Sequence, residues 1–198
     1  MRLILASTSP RRREILGLLG RPFEVIAPEF NERISTHLSI GEEVLQFAVG
    51  KAQSVAAKHP ETIVIGSDTM IRLDGEKIGK PLDAADARRI LRLLSGKTHK
   101  IYTSVAIIDR MGGPGLRRVE TVVLKMRELS ADEIESYVAT GESLDKAGAY
   151  SIQGQGRNLI AAMEGDYLAA VGMPLKPIAG YLKDVEYALA KFCTKKTS

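Results

Sequence analysis

The run Thr62-Ile63-Val64-Ile65 is the strongest constraint on this chain. Its apolar side chains follow one another without alternation, as in a strand buried on both faces. Such a strand needs helices above and below it, so the rest of the chain must supply them. The run is expected to stop at Gly66-Ser67-Asp68-Thr69. That places polar side chains at a strand's carboxyl end, where α/β folds carry their active sites.

The flanking sequence supplies those helices. Leu3-Ile4-Leu5-Ala6 reads as a short buried strand, and Ser9-Pro10 then opens a helix to about Leu19. Ser suits the N-cap and Pro the first helical position. Phe23 to Ile26 is a second strand, and Pro28 to His37 is polar and irregular. Ser39 and Glu42 form a capping box, opening a helix that buries Val44, Leu45, Ala48, Ala52 and Val55. Asp74-Gly75 is a turn between two short strand-like pieces, and Asp83 caps a helix with Ala87, Ile90, Leu91 and Leu94 inward. His99–Asp109 and Arg118–Met126 form a hairpin joined by Gly112-Gly113-Pro114-Gly115. A second capping box at Ser130 and Glu133 opens a helix that ends at Gly141. A glycine-rich stretch runs to Gly156, and Pro174 opens a last helix to about Phe192. The hairpin rules out a purely parallel sheet. The expectation is a single α/β domain, residues 1–198, with a mixed sheet flanked by helices.

Composition excludes several classes of function. The net charge is only +4 and aromatics are 5% with no Trp, so a basic, aromatic-lined nucleic-acid surface is not expected. The lone Cys193 makes no internal disulfide or multi-thiolate zinc site and reads as an unreactive tail thiol. His37, His59 and His99 have no metal-ligand spacing. Four apolar residues between Arg2 and Ser7 are too few for a signal-peptide core, which points to a cytoplasmic protein without a membrane span.

Several segments could carry chemistry. Ser7-Thr8-Ser9-Pro10-Arg11-Arg12-Arg13 lies where a strand hands over to a helix. Free N–H groups and the helix dipole favour an anion there, and Arg forks match phosphate oxygens. A solvated basic turn accounts for the segment equally well. Asp68 suits a metal or the activation of water, but Asp also caps turns. Glu32, Lys51 and Lys80 are separated charges, which by themselves read as surface residues. Ser95-Gly96-Lys97-Thr98 imitates the end of a phosphate-binding P-loop. Leu91 stands where that motif needs Gly, and a helix precedes it instead of a strand, so the reading fails. Asp145 to Gly154 is rich in small residues that let backbone approach a ligand, and Gln153 offers both a donor and an acceptor. A structural loop is the alternative.

Taken in order, these segments resemble the Maf family of nucleoside triphosphate pyrophosphatases, also called septum-formation-inhibitor proteins. The likeness rests on Ala6-Ser7-x-Ser9-Pro10-Arg11-Arg12, Asn31-Glu32, Lys51-Ala52, Gly66-Ser67-Asp68-Thr69, Gly79-Lys80-Pro81, Leu94 to His99, Tyr137 to Glu142, Asp145 to Gly154 and Val171 to Leu175. It implies a fold like that of inosine triphosphate pyrophosphatases, with a cleft between two lobes. It also implies hydrolysis between the α and β phosphates, a Mg²⁺ or Mn²⁺ cofactor, and a homodimer. Asp145-Lys146-Ala147-Gly148-Ala149-Tyr150, Gln153-Gly154 and Asp68-Thr69 are similar to the branch acting on dTTP and UTP, not the 7-methyl-GTP branch. Asn31 replaces the family's usual acid and Ser67 its frequent Ala. The resemblance assigns Asp68, Lys51, Lys80 and Glu32 to catalysis and Asp68 with Glu32 to the metal. Ser7, Arg11, Arg12, Thr69 and Gln153 are assigned to the substrate. Arg13 is left as a solvated helix residue. The rival readings are a non-catalytic, nucleotide-binding regulator of septum formation and the 7-methyl-GTP-specific branch of the same family.

Overall fold

The computed structural model describes residues 2–32, 37–110, 113 and 115–195, with backbone alone from residue 188 onward. Gly112 and Pro114 of the expected hairpin loop and the Cys193 side chain lie outside what it describes. The elements are β1 (Arg2–Ala6), α1 (Pro10–Gly17), β2 (Glu24–Ile26), α2 (Ile40–Ala56), β3 (Thr62–Leu73), β4 (Glu76–Ile78) and α3 (Ala84–Leu94). Then come β5 (Thr98–Asp109), β6 (Leu116–Met126), α4 (Ala131–Ala139), β7 (Ile160–Glu164), α5 (Tyr167–Val171) and α6 (Leu175–Lys195). Two 3-10 turns, Ala147–Ala149 and Gly154–Leu159, occupy the glycine-rich stretch.

The seven strands form one mixed sheet, ordered β2-β1-β3-β5-β6-β7, with β4 beside β3. β1 lies parallel to β2 and β3, whereas β5 pairs antiparallel with β3 and β6. The capping boxes at Ser39 and Ser130 form as expected. The sequence expectation fails in three places. β7 and α5 were not anticipated, because β7 is a half-exposed edge strand and α5 has only five residues. More consequentially, the strand opened by Thr62 does not stop at Gly66. It runs to Leu73, held by an unbroken ladder to β5 from Ile63 to Arg72. Asp68 therefore sits within a strand, not at its end.

The sheet's two faces are distinguished by period-two alternation. Ile4, Ala6 and Val64 pack with Ala52, Val55 and Ala56 of α2 on one face. Leu3, Leu5, Ile63 and Ile65 face the larger cluster, which takes side chains from α1, α3, α4, α5 and α6. Gly66 falls on the α2 face, where a Cβ would lie 2.2 Å from the Ala48 carbonyl oxygen. Only a missing side chain lets α2 sit this close to β3. Gly66→Ala is expected to lower stability by about 2 kcal/mol or more through overpacking against backbone, read as a reduced urea midpoint.

Candidate active site

β3 has two edges, and β5 occupies one of them throughout. The other is shared: β1 pairs with Thr62–Ile65 and β4 with Ile71–Leu73. Between them, Gly66 to Met70 have no strand neighbour on that side. This gap opens into a cleft of about 890 Å³ lined by Ser7, Arg11, Arg12, Glu32, Lys51, Asp68, Thr69, Lys80 and Gln153. All nine side chains singled out from the sequence thus meet in one place.

On the α2 face, Lys51 Nζ lies 2.6 Å from Asp68 Oδ1 and 2.5 Å from Glu32 Oε1. Asp68 is 7% exposed. Burial pushes its pKa above the ordinary carboxylate value, against the opposing pull of the Lys51 and Arg12 charges. The ammonium group occupies the point on which two carboxylates converge. A pair of convergent carboxylates also suits a divalent cation, so Glu32 and Asp68 fit the metal role. Among the described residues no group of three or more His, Cys, Asp or Glu could hold a metal. A hard cation here would keep waters or take ligand oxygens for the rest of its shell.

On the opposite face, the Arg12 guanidinium donates from Nε to the Gly172 carbonyl at 3.0 Å and from Nη2 to Thr69 Oγ1 at 3.3 Å. Ser67 Oγ lies 2.7 Å from the Ser104 carbonyl oxygen and 3.0 Å from that of Gly172. Gly172 ends α5 at φ 137°, a conformation open to glycine. Thr103 Oγ1 donates to Thr69 Oγ1 at 3.2 Å. Thr103 is fully buried, and donation is the arrangement that does not strand its proton. Thr69 therefore accepts two hydrogen bonds, and its own O–H is left to donate into the cleft.

The third wall is the start of α1. Ser9 is its N-cap but makes no side-chain cap bond, and no acid stands in the first turn. Uncapped N–H groups and Arg11 thus face the cleft, an arrangement suited to phosphate. Six cations line the cleft (Arg11, Arg12, Lys51, Lys77, Lys80 and Lys146) against three acids (Glu32, Asp68 and Asp145). This excess of positive charge suits a polyanion.

A family model described as "Maf-like protein" matches residues 2–185. The chain belongs to the Maf family. A protein of Moorella thermoacetica named dTTP/UTP pyrophosphatase is 47% identical over 88% of this chain and 90% of its own length. A Bacillus cytotoxicus protein of the same name is 43% identical, covering 93% and 96%. The solved structure of the Staphylococcus aureus Ham1 protein covers 93% of this chain and 99% of its own at a TM-score of 0.54. At 15% identity it speaks for the fold alone.

Against the Maf motifs, the departures are benign. Asn31 is exposed and does not line the cleft, so the Glu32–Lys51–Asp68 cluster stands without an acid there. Ser67 ties Gly172 to β5. Arg13 is exposed, as expected. Sequence reasoning missed Lys77, which lines the cleft and pairs with the buried Glu43 of α2. Alternation back from inward-facing Ile78 was the available signal. Reasoning from spacing also passed over His99, whose Nε2 is 2.7 Å from the Tyr150 hydroxyl beneath the cleft.

Burial pushes the His99 pKa down from 6.5 to about 4. Between those values the unfolded chain takes up a proton that the folded chain refuses, so stability rises with pH across this window. Acidification from pH 6.5 to 4 should therefore remove on the order of 3 kcal/mol through this one group. His99→Gln keeps a partner for Tyr150 and should flatten the dependence, measured as urea stability against pH.

Proposed function

We propose that this chain is a nucleoside triphosphate pyrophosphatase that cuts dTTP and UTP to the monophosphate and pyrophosphate. The observation that carries the reading is the Glu32–Lys51–Asp68 cluster at the open edge of β3, faced across the cleft by the uncapped start of α1. The names of the relatives support the choice of substrate.

Asp68 takes the proton of the water that attacks the α-phosphorus, and burial makes it a stronger base. Ser7, Arg11 and the α1 N-terminus hold phosphate oxygens, and Lys80 stabilises the departing pyrophosphate. Lys51 keeps Asp68 ionised and aligned. Arg12 holds Thr69 and the Gly172 turn, so its part in binding is to shape the pocket. Thr69 and Gln153 contact the base, Thr69 as a donor to a ligand acceptor. A Mg²⁺ or Mn²⁺ ion held by Glu32 and Asp68 supplies Lewis-acid stabilisation of phosphate charge when bound. We extend the proposal to a cytoplasmic homodimer that binds neither nucleic acid nor membrane. The small net charge supports the part of this that concerns nucleic acid, and among the described residues no helix is long and apolar enough to cross a membrane.

Pyrophosphate release from dTTP and UTP should exceed that from 7-methyl-GTP and stop on chelation of divalent metal. Asp68→Asn should lose about 10²-fold or more in kcat. Its thermal midpoint should hold or rise, because an ion disfavoured by burial has been removed. Full turnover by Asp68→Asn would refute its role, and nucleotide binding without turnover by the native chain would favour the regulator reading.

Thr103→Val removes the donor that fixes Thr69. It is expected to raise KM for UTP about threefold to tenfold with kcat little changed, the scale of one hydrogen bond. An unchanged KM would place the Thr69 hydroxyl away from the ligand.

A further inference from the structure

The segment from Ala27 to Glu32 forms the outer wall of the cleft and belongs to no helix or strand. Contacts tie it to α2 and to Lys58 just beyond that helix. Glu29 pairs with Lys58 at 2.7 Å, but both side chains are well exposed and such a pair contributes little. Glu32 meets Lys51. Phe30 lies edge-on to the buried Phe47, with ring centroids 5.8 Å apart. The Phe30 ring also fills the space above Gly50, where a Cβ would fall 2.1 Å from Cε2 and 2.6 Å from Cδ2 and Cζ.

Phe30 and Glu32 are two residues apart and both meet α2. Gly50 and Lys51, which receive them, are neighbours on α2. The two contacts thus form one unit, with an apolar plug beside a charged latch. Gly50 lies within a 17-residue helix, where glycine is about 1 kcal/mol worse than alanine. Local propensity therefore opposes glycine here, whereas the ring requires it.

We propose that Gly50 is a positioning residue. The notch left by its missing side chain seats Phe30, and the seated ring holds Glu32 against Lys51 beside Asp68. The inference rests on the reading of Glu32, Lys51 and Asp68 as the catalytic cluster. A methyl group at position 50 meets the end of a side chain, not backbone, so the ring gives way and the helix remains. The wall then leaves α2 and carries Glu32 with it, while Lys51 stays on Asp68.

The test is Gly50→Ala, assayed for pyrophosphate release, thermal midpoint and amide hydrogen exchange of residues 27–32. The midpoint should equal or exceed that of the native chain, exchange should quicken in that segment alone, and kcat should fall about tenfold or more. Gly50→Ala/Phe30→Leu, which trims the ring to admit the methyl group, should recover protection and most of the rate. In a Glu32→Gln background, Gly50→Ala should add no further loss of rate. Native protection and rate in Gly50→Ala would overturn the proposal, as would a lowered midpoint with exchange quickened throughout. If the native chain releases no pyrophosphate, the catalytic reading fails, and the exchange measurements still decide whether Phe30 is seated by Gly50.

Discussion

The architecture of the cleft depends on one interruption in hydrogen bonding. β3 is paired with β5 from Ile63 to Arg72, but on its other edge β1 leaves after Ile65 and β4 arrives at Ile71. Inside that window a strand keeps its rigidity from one side while its other side is open to ligand. Residues on both faces of the sheet can then reach the same space. Asp68 points toward α2 and Thr69 toward Arg12 and Thr103, yet both line the cleft. A strand end would have offered the same side chains on a looser support. A functional group held within a continuous ladder is more accurately placed than one on a loop.

The electrostatics follow from this placement. Holding Asp68 inside the sheet takes water from its carboxylate, which disfavours the ion. Lys51 and Arg12 offset that loss from opposite faces of the strand, and Lys51 is itself shared with Glu32. The cluster is thus a compromise between desolvation and charge pairing, which leaves the Asp68 carboxylate more basic than an ordinary one. Arg12 lines the cleft and also donates to the Gly172 carbonyl and to Thr69.

Much of this was legible in the sequence. The capping boxes at Ser39 and Ser130, the unalternating Ile63-Val64-Ile65 and the Ser9-Pro10 helix start are local signals, and the structure honours each. The nine site residues were recoverable because the family's motifs mark them, although spacing alone left most of them ambiguous. What was not legible was non-local. Gly66 and Ser67 look like a strand terminator, but the ladder to β5 overrides their propensity. Lys77 acquires its place from Glu43 on another element, and His99 from Tyr150. Gly50 reads as a weak point in a helix until Phe30, twenty residues earlier in the chain, is brought onto it.

The Gly172 carbonyl receives both Arg12 and Ser67. The Arg12 bond spans 160 positions of sequence. During synthesis, which runs from the N-terminus, α1 and β3 emerge well before the turn that fixes them. Until residue 172 has left the ribosome, the Arg12 guanidinium lacks this acceptor, and Thr69 is held by Thr103 alone. A nascent or C-terminally truncated chain ending before α5 would carry all nine side chains from Ser7 to Gln153 but not the carbonyl that holds Arg12.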